Sequence, residues 1–211
     1  MSAQFISREI NSVMLEMYRY FPVITMTGPR QSGKTTLAKA VFGHRPYVSL
    51  EDPDLRQAAQ EDPRSFLGRF PDGAVLDEVQ RCPDLLSYLQ TIIDGDGRMG
   101  LYILTGSQQF GLMSKISQSL AGRTAFVELL PFSIQELIHA GKLPSTVDAM
   151  LFTGSYPPLY DRGVPPSAWF GAYVTAYVER DVRQMLKIQV RRQGRSLKTK
   201  YLLRKMFKKT C

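Results

Sequence analysis

Between Phe5 and Tyr18 the apolar residues Phe5, Ile6, Ile10, Val13, Met14, Met17 and Tyr18 recur three and four positions apart, the spacing of an amphipathic helix that packs on a sheet. The pattern then changes. Val23-Ile24-Thr25-Met26 is short and rich in β-formers, breaks at Gly28-Pro29, and gives way to the helix-prone run Lys34 to Ala40, so it reads as strand, loop, helix. Further strands are expected at Tyr47 to Leu50, Ala74 to Leu76, Leu101 to Leu104 and Thr124 to Leu130. Helical segments lie between the first three of these, at Asp54 to Ala59, Arg64 to Phe70 and Asp84 to Ile93. Strands alternating with helices predict a parallel sheet sandwiched by helices, an α/β architecture. After Pro131, Ser133 and Glu136 have the spacing of a helix capping box. Beyond Gly141 the pattern is mainly helical, with turns at Gly154 to Pro158 and Pro165-Pro166 and a long helical stretch from Ser167 to Leu186.

Composition narrows the class. The 211 residues allow one substantial core, and no apolar run reaches the roughly 18 residues of a membrane helix, so the chain is expected to be cytoplasmic and free of the membrane. Cys82 and Cys211 are far apart and lack a histidine cluster, which argues against a disulfide framework or a thiolate metal site. The net charge of +8 is unevenly placed: nine of the 27 Lys and Arg fall in residues 188–211, which contain no Asp or Glu, and the remainder is close to neutral.

Candidate chemistry starts at Gly28-Pro29-Arg30-Gln31-Ser32-Gly33-Lys34-Thr35, which satisfies G-x-x-x-x-G-K-[ST] between a strand and a helix. A polyphosphate needs many donors at once, and an inward-turned loop of backbone N–H groups at a helix N-terminus supplies them. On this reading the loop, Thr36 included, binds ATP. Lys34 bridges the β- and γ-phosphates, and the Thr35 hydroxyl ligates Mg²⁺. Ala74-Val75-Leu76-Asp77-Glu78 is an apolar strand ending in two acids; Asp77 is the metal-side acid, and Glu78 polarises the attacking water. By itself such a strand end is more often merely solvated. Leu104-Thr105-Gly106-Ser107 ends another strand in hydroxyls, and Ser107 or Thr105 either senses the γ-phosphate or positions the water, the plain alternative being a cap on the next turn.

These segments, with Ser119-Leu120-Ala121-Gly122-Arg123, Leu130-Pro131-Phe132-Ser133, Gly154-Ser155-Tyr156-Pro157 and Tyr177 to Val182, resemble the AAA-type P-loop ATPases of bacteria and archaea that carry a C-terminal domain of unknown function. The resemblance runs in order from the first helix to about Lys187. It implies a AAA-like core, ATP hydrolysis, a sensor at Thr105 to Ser107, and a functional arginine at Arg123 acting within its own subunit or on a neighbour, where a surface ion pair is the plain alternative. Arg180, on a charged helix face, is equally explained by local pairing.

The expected division is a P-loop core over 1–140, a helical lid and start of a C-terminal region over 141–187, and a basic tail over 188–211. The tail's abrupt change of composition fits a shifted reading frame or truncated gene, in preference to a basic arm that touches DNA. Three functions are in play: a Mg²⁺-dependent ATPase, with a homo-oligomer if Arg123 acts across subunits; a P-loop kinase; and a nucleotide-switched module, on DNA or another target, without turnover.

Overall fold

The computed structural model describes residues 5–107, 116 and 118–178; the basic tail and Arg180 lie outside them. Five strands, β1 (Val23–Thr27), β2 (Tyr47–Ser49), β3 (Ala74–Asp77), β4 (Tyr102–Thr105) and β5 (Thr124–Glu128), form one sheet in the order β2-β3-β4-β1-β5, with every neighbouring pair parallel. This is the P-loop NTPase architecture expected from the sequence. Because β4 lies between β1 and β3, the glycine-rich loop after β1 and the acids after β3 leave the same edge of the sheet, with the end of β4 between them.

Side-chain alternation divides the core. Val23, Val48, Ala74, Leu76, Tyr102 and Leu104 point to one face and are covered by α3 (Pro53–Glu61), α4 (Pro63–Gly68) and α5 (Leu85–Asp96). Ile24, Met26, Val75, Ile103, Ala125 and Val127 point to the other, under α1 (Ile10–Tyr20) and α2 (Lys34–Val41). The helix starts follow local chemistry. The Asp52 carboxylate accepts from the Asp54 and Leu55 amides before Pro53, and Asp62 accepts from Ser65 N ahead of Pro63. The capping box forms: Ser133 Oγ accepts from Glu136 N at 3.0 Å, and the Glu136 carboxylate accepts from Ser133 N at 2.8 Å.

One expectation is corrected. The first helix starts at Ile10 and not at Phe5, because Ile6 packs with Phe132 and Leu137 and Arg8 is held by groups far along the chain. The stretch from Ser167 is α-helical over Pro166–Tyr173 and then widens to π-type turns over Val174–Val178, beyond which it leaves the described residues. The chain divides into a compact unit ending at Trp169 and another starting at Phe170, so the short helices Val147–Thr153 and Pro157–Asp161 belong with the sheet. Among the described residues no helix is long and apolar enough to cross a membrane.

Candidate functional site

The loop from Gly28 to Gly33 leaves β1 and turns into α2. Its geometry depends on backbone that side chains resist: Gly28 has φ +141°, Gly33 +97° and Gln31 +60°. A Cβ at Gly28 would lie 2.2 Å from the carbonyl oxygen of Leu129, so the tight passage beside β5 admits only glycine. Lys34, at the first turn of α2, is buried, and its Nζ donates to the carbonyls of Gly28 (3.1 Å) and Pro29 (2.8 Å). Burial lowers its pKa from the ordinary lysine value, while Glu78 and Asp77 oppose that shift.

Asp77 ends β3 only 3% exposed and collects hydroxyls from three elements. Thr35 Oγ1 donates to its Oδ2 at 2.8 Å, the Tyr47 phenol donates to the same oxygen, and Thr105 Oγ1 donates to Oδ1. Thr105 Oγ1 also accepts from Glu78 N at 3.3 Å. Glu78 stands in left-handed backbone, φ 58° and ψ 44°, as the chain swings from β3 into the turn Val79–Arg81. Its carboxylate accepts from the Gln80 amide, and burial, the dominant influence, raises its pKa above the ordinary glutamate range. Two buried hydroxyl oxygens, Ser32 Oγ in the loop and Ser107 Oγ beyond β4, have no hydrogen-bond partner among the described residues. Buried polar atoms rarely stay unsatisfied, so each is a donor in want of an acceptor. No group of three or more His, Cys, Asp or Glu that could hold a metal ion exists among the described residues. Thr35 Oγ1 and the Asp77 carboxylate together offer the protein oxygen or two that a Mg²⁺ ion beside phosphates could take.

Three residues that sequence reasoning missed complete the surroundings. Arg8, almost fully buried, donates to Glu136 Oε1 (3.0 Å), to the loop carbonyl of Ser32 (3.1 Å), and to the carbonyls of Leu130 (2.6 Å) and Pro131 (3.2 Å). Trp169 Nε1 donates to Gln31 Oε1 at 3.2 Å, and Tyr47 reaches Asp77. None belongs to a recognisable motif. Beside Gly33 and Thr36 a cavity of about 120 Å³ is walled by Phe5, Ile6, Leu37, Phe132 and Pro157, with Arg8 and Asp161 in its lining.

Arg123 is elsewhere. It precedes β5 at the strands' starting edge, where its carbonyl accepts from Val23 N, a whole strand or roughly 15 Å from the loop. Its guanidinium grips Asp94 with both carboxylate oxygens, Nη2 to Oδ2 at 2.9 Å. Arg123 thus stands at the end of the sheet opposite the phosphate loop of its own subunit.

Sheet order, loop and paired acids lead to comparison with known proteins. The profile of the AAA domain family matches residues 20–138. The chain belongs to that family. Uncharacterized proteins of Mycobacterium tuberculosis and Mycobacterium bovis are each 32% identical over 167 residues, 78% of this chain and 37% of the relative. The chain thus spans little more than a third of the curated relatives it matches. The Walker-type ATPase PABY2304 of Pyrococcus abyssi superposes with a TM-score of 0.55 over 90% of this chain and 79% of its own, at 16% identity. AMPPCP-bound DnaA from Aquifex aeolicus gives 0.50 over 92% and 73%, also at 16% identity. These likenesses bear on the fold, and they agree that this AAA domain has the fold of P-loop ATPases.

Proposed function

We propose that this AAA domain binds ATP with Mg²⁺ and hydrolyses it. The observation that carries the reading is the convergence of Thr35, at the loop, on the Asp77 carboxylate, with Glu78 next in line and Thr105 touching both. Bound Mg·ATP supplies a γ-phosphoryl group whose charge is partly neutralised by the cation and which is open to in-line attack by water. The chain's residues do the rest. Lys34 exchanges two loop carbonyls for phosphate oxygens, a better partner for an ammonium. Thr35, still donating to Asp77, would offer its hydroxyl oxygen to the metal. Ser32 and Ser107 give their unmatched hydroxyls to the anion, and Glu78 takes the proton of the attacking water. The apolar cavity beside Gly33 and Thr36 suits a flat heterocyclic base. Arg123 acts on a neighbouring subunit after leaving Asp94, which makes a homo-oligomer part of the reading.

Calorimetry and phosphate release test it. Wild-type protein should bind ATP more tightly with Mg²⁺ and release free phosphate without any acceptor, whereas Lys34→Ala should bind about 10- to 100-fold more weakly, as loss of a charge-assisted hydrogen bond implies. Undiminished affinity in Lys34→Ala would overturn the assignment, and phosphate that appears only with an acceptor would make the protein a kinase. A second reading is favoured by one contact: the Gln80 amide occupies the Glu78 carboxylate, as in a nucleotide-bound switch that does not turn over. Phosphate release by wild type, lost in Glu78→Gln, excludes it.

A further inference from the structure

We infer that Tyr47 is a positioning residue for the metal-side acid, fixing the Asp77 carboxylate so that one face of it stays directed to the divalent cation. The inference rests on the Mg·ATP reading above and deepens it.

A carboxylate offers about four lone-pair sites. On Asp77 three hydroxyls fill three of them: Tyr47 and Thr35 on Oδ2, Thr105 on Oδ1. Roughly one acceptor direction is left for a metal-bound water, and the three donors fix the carboxylate plane. Thr35 and Thr105 have evident reasons to be there, as the loop threonine and the end of the adjoining strand. Tyr47 does not. It comes from β2 at the sheet edge, opposite Val75 in register, and its side chain reaches along the strand to Asp77, two register positions on.

The phenol is itself held. Lys39 Nζ sits 3.9 Å above the ring centroid. Lys39 lies one helical turn after Thr35 on the same face of α2, so the ring bridges the helix that carries the metal-side hydroxyl and the strand that carries the metal-side acid. Removing partners one shell away from a metal commonly costs 10- to 100-fold in metal affinity or activity without touching the ligands themselves.

The experiment compares wild type, Tyr47→Phe and Tyr47→Leu on the full chain by two readouts besides turnover. A fluorescent ATP analogue is titrated in EDTA and then across Mg²⁺ concentrations, and Mn²⁺ bound to the protein–nucleotide complex is counted by electron paramagnetic resonance. In Tyr47→Phe the analogue's affinity in EDTA should be unchanged, while the Mg²⁺ midpoint and the Mn²⁺ dissociation constant rise about tenfold. Tyr47→Leu should match Tyr47→Phe in midpoint, because the hydroxyl and not the ring sets the acid. An unmoved midpoint in Tyr47→Phe, or a shift confined to Tyr47→Leu, overturns the inference and leaves the Mg·ATP reading standing. A wild type that binds the analogue identically with and without Mg²⁺ overturns both. Should Tyr47→Leu not fold, Tyr47→Phe alone decides, since it keeps the ring and its contact with Lys39.

Discussion

Glu78 is held against two local preferences, left-handed backbone and burial of its charge, and both have measurable consequences. A carboxyl whose pKa is raised by folding opposes stability once it ionises. Below the ordinary carboxylate range it is protonated in folded and unfolded chains alike and nothing is lost; as pH rises through the raised folded value, stability declines. Glu78→Gln should therefore melt at a higher temperature than wild type near pH 7 and at the same temperature near pH 3, as calorimetry can read, where those pH values are roughly above and below the carboxylate range. The same variant should keep ATP binding and lose about a hundredfold or more in turnover. In wild type, the acid limb of turnover should sit above the ordinary glutamate range. Gly28 gives a second test at this scale. Gly28→Ala forces a methyl onto the Leu129 carbonyl, and denaturant titration should show a loss of about 2–3 kcal/mol, the magnitude of strain at a special backbone position.

Among the elements, the segment before α1 does more than its sequence announces. Phe5 to Arg8 continues the apolar spacing of a helix, yet the guanidinium of Arg8 is drawn to the carbonyls of Ser32, Leu130 and Pro131, and the carboxylate of Glu136 takes both Arg8 and the amide of Glu9. Tertiary hydrogen bonding overrides periodicity there. Arg8→Met leaves Glu136 buried with its charge unmatched, and unfolding titrations should record a loss of about 3–5 kcal/mol; Arg8→Met with Glu136→Leu should recover much of it, since a buried pair replaced whole is often near neutral. The elements that sequence reveals well are those whose causes are local: β1, the phosphate loop, α2, β3 with its acids, and the capping box at Ser133. Tyr47, Trp169 and Arg8 escape notice because their partners are set by three-dimensional neighbourhood; β2 is three residues long, and Tyr47 meets Asp77 across 30 positions. Arg123 was legible as a residue but not as a location, since only the parallel run of β5 beside β1 shows which end of the sheet it occupies.

For the whole molecule, the sheet order separates two ends: one where loop, acids and hydroxyls gather, and one where Arg123 is clasped by Asp94. On the proposed reading, an arginine at the far end meets a phosphate on another copy. Arg123→Ala and Glu78→Gln should each be inactive alone, and mixing them should restore part of the turnover by pairing an intact site with an intact arginine; phosphate release that stays at background in the mixture removes the role across subunits. The pair Arg8 and Glu136, 128 positions apart, also has a bearing on how the chain is made. On the ribosome the guanidinium emerges long before its carboxylate exists, so the amino-terminal segment must wait in water while the strands behind it assemble. The clasp therefore cannot close before residue 136 has been made, and a nascent chain halted short of it leaves the guanidinium behind the phosphate loop without its carboxylate.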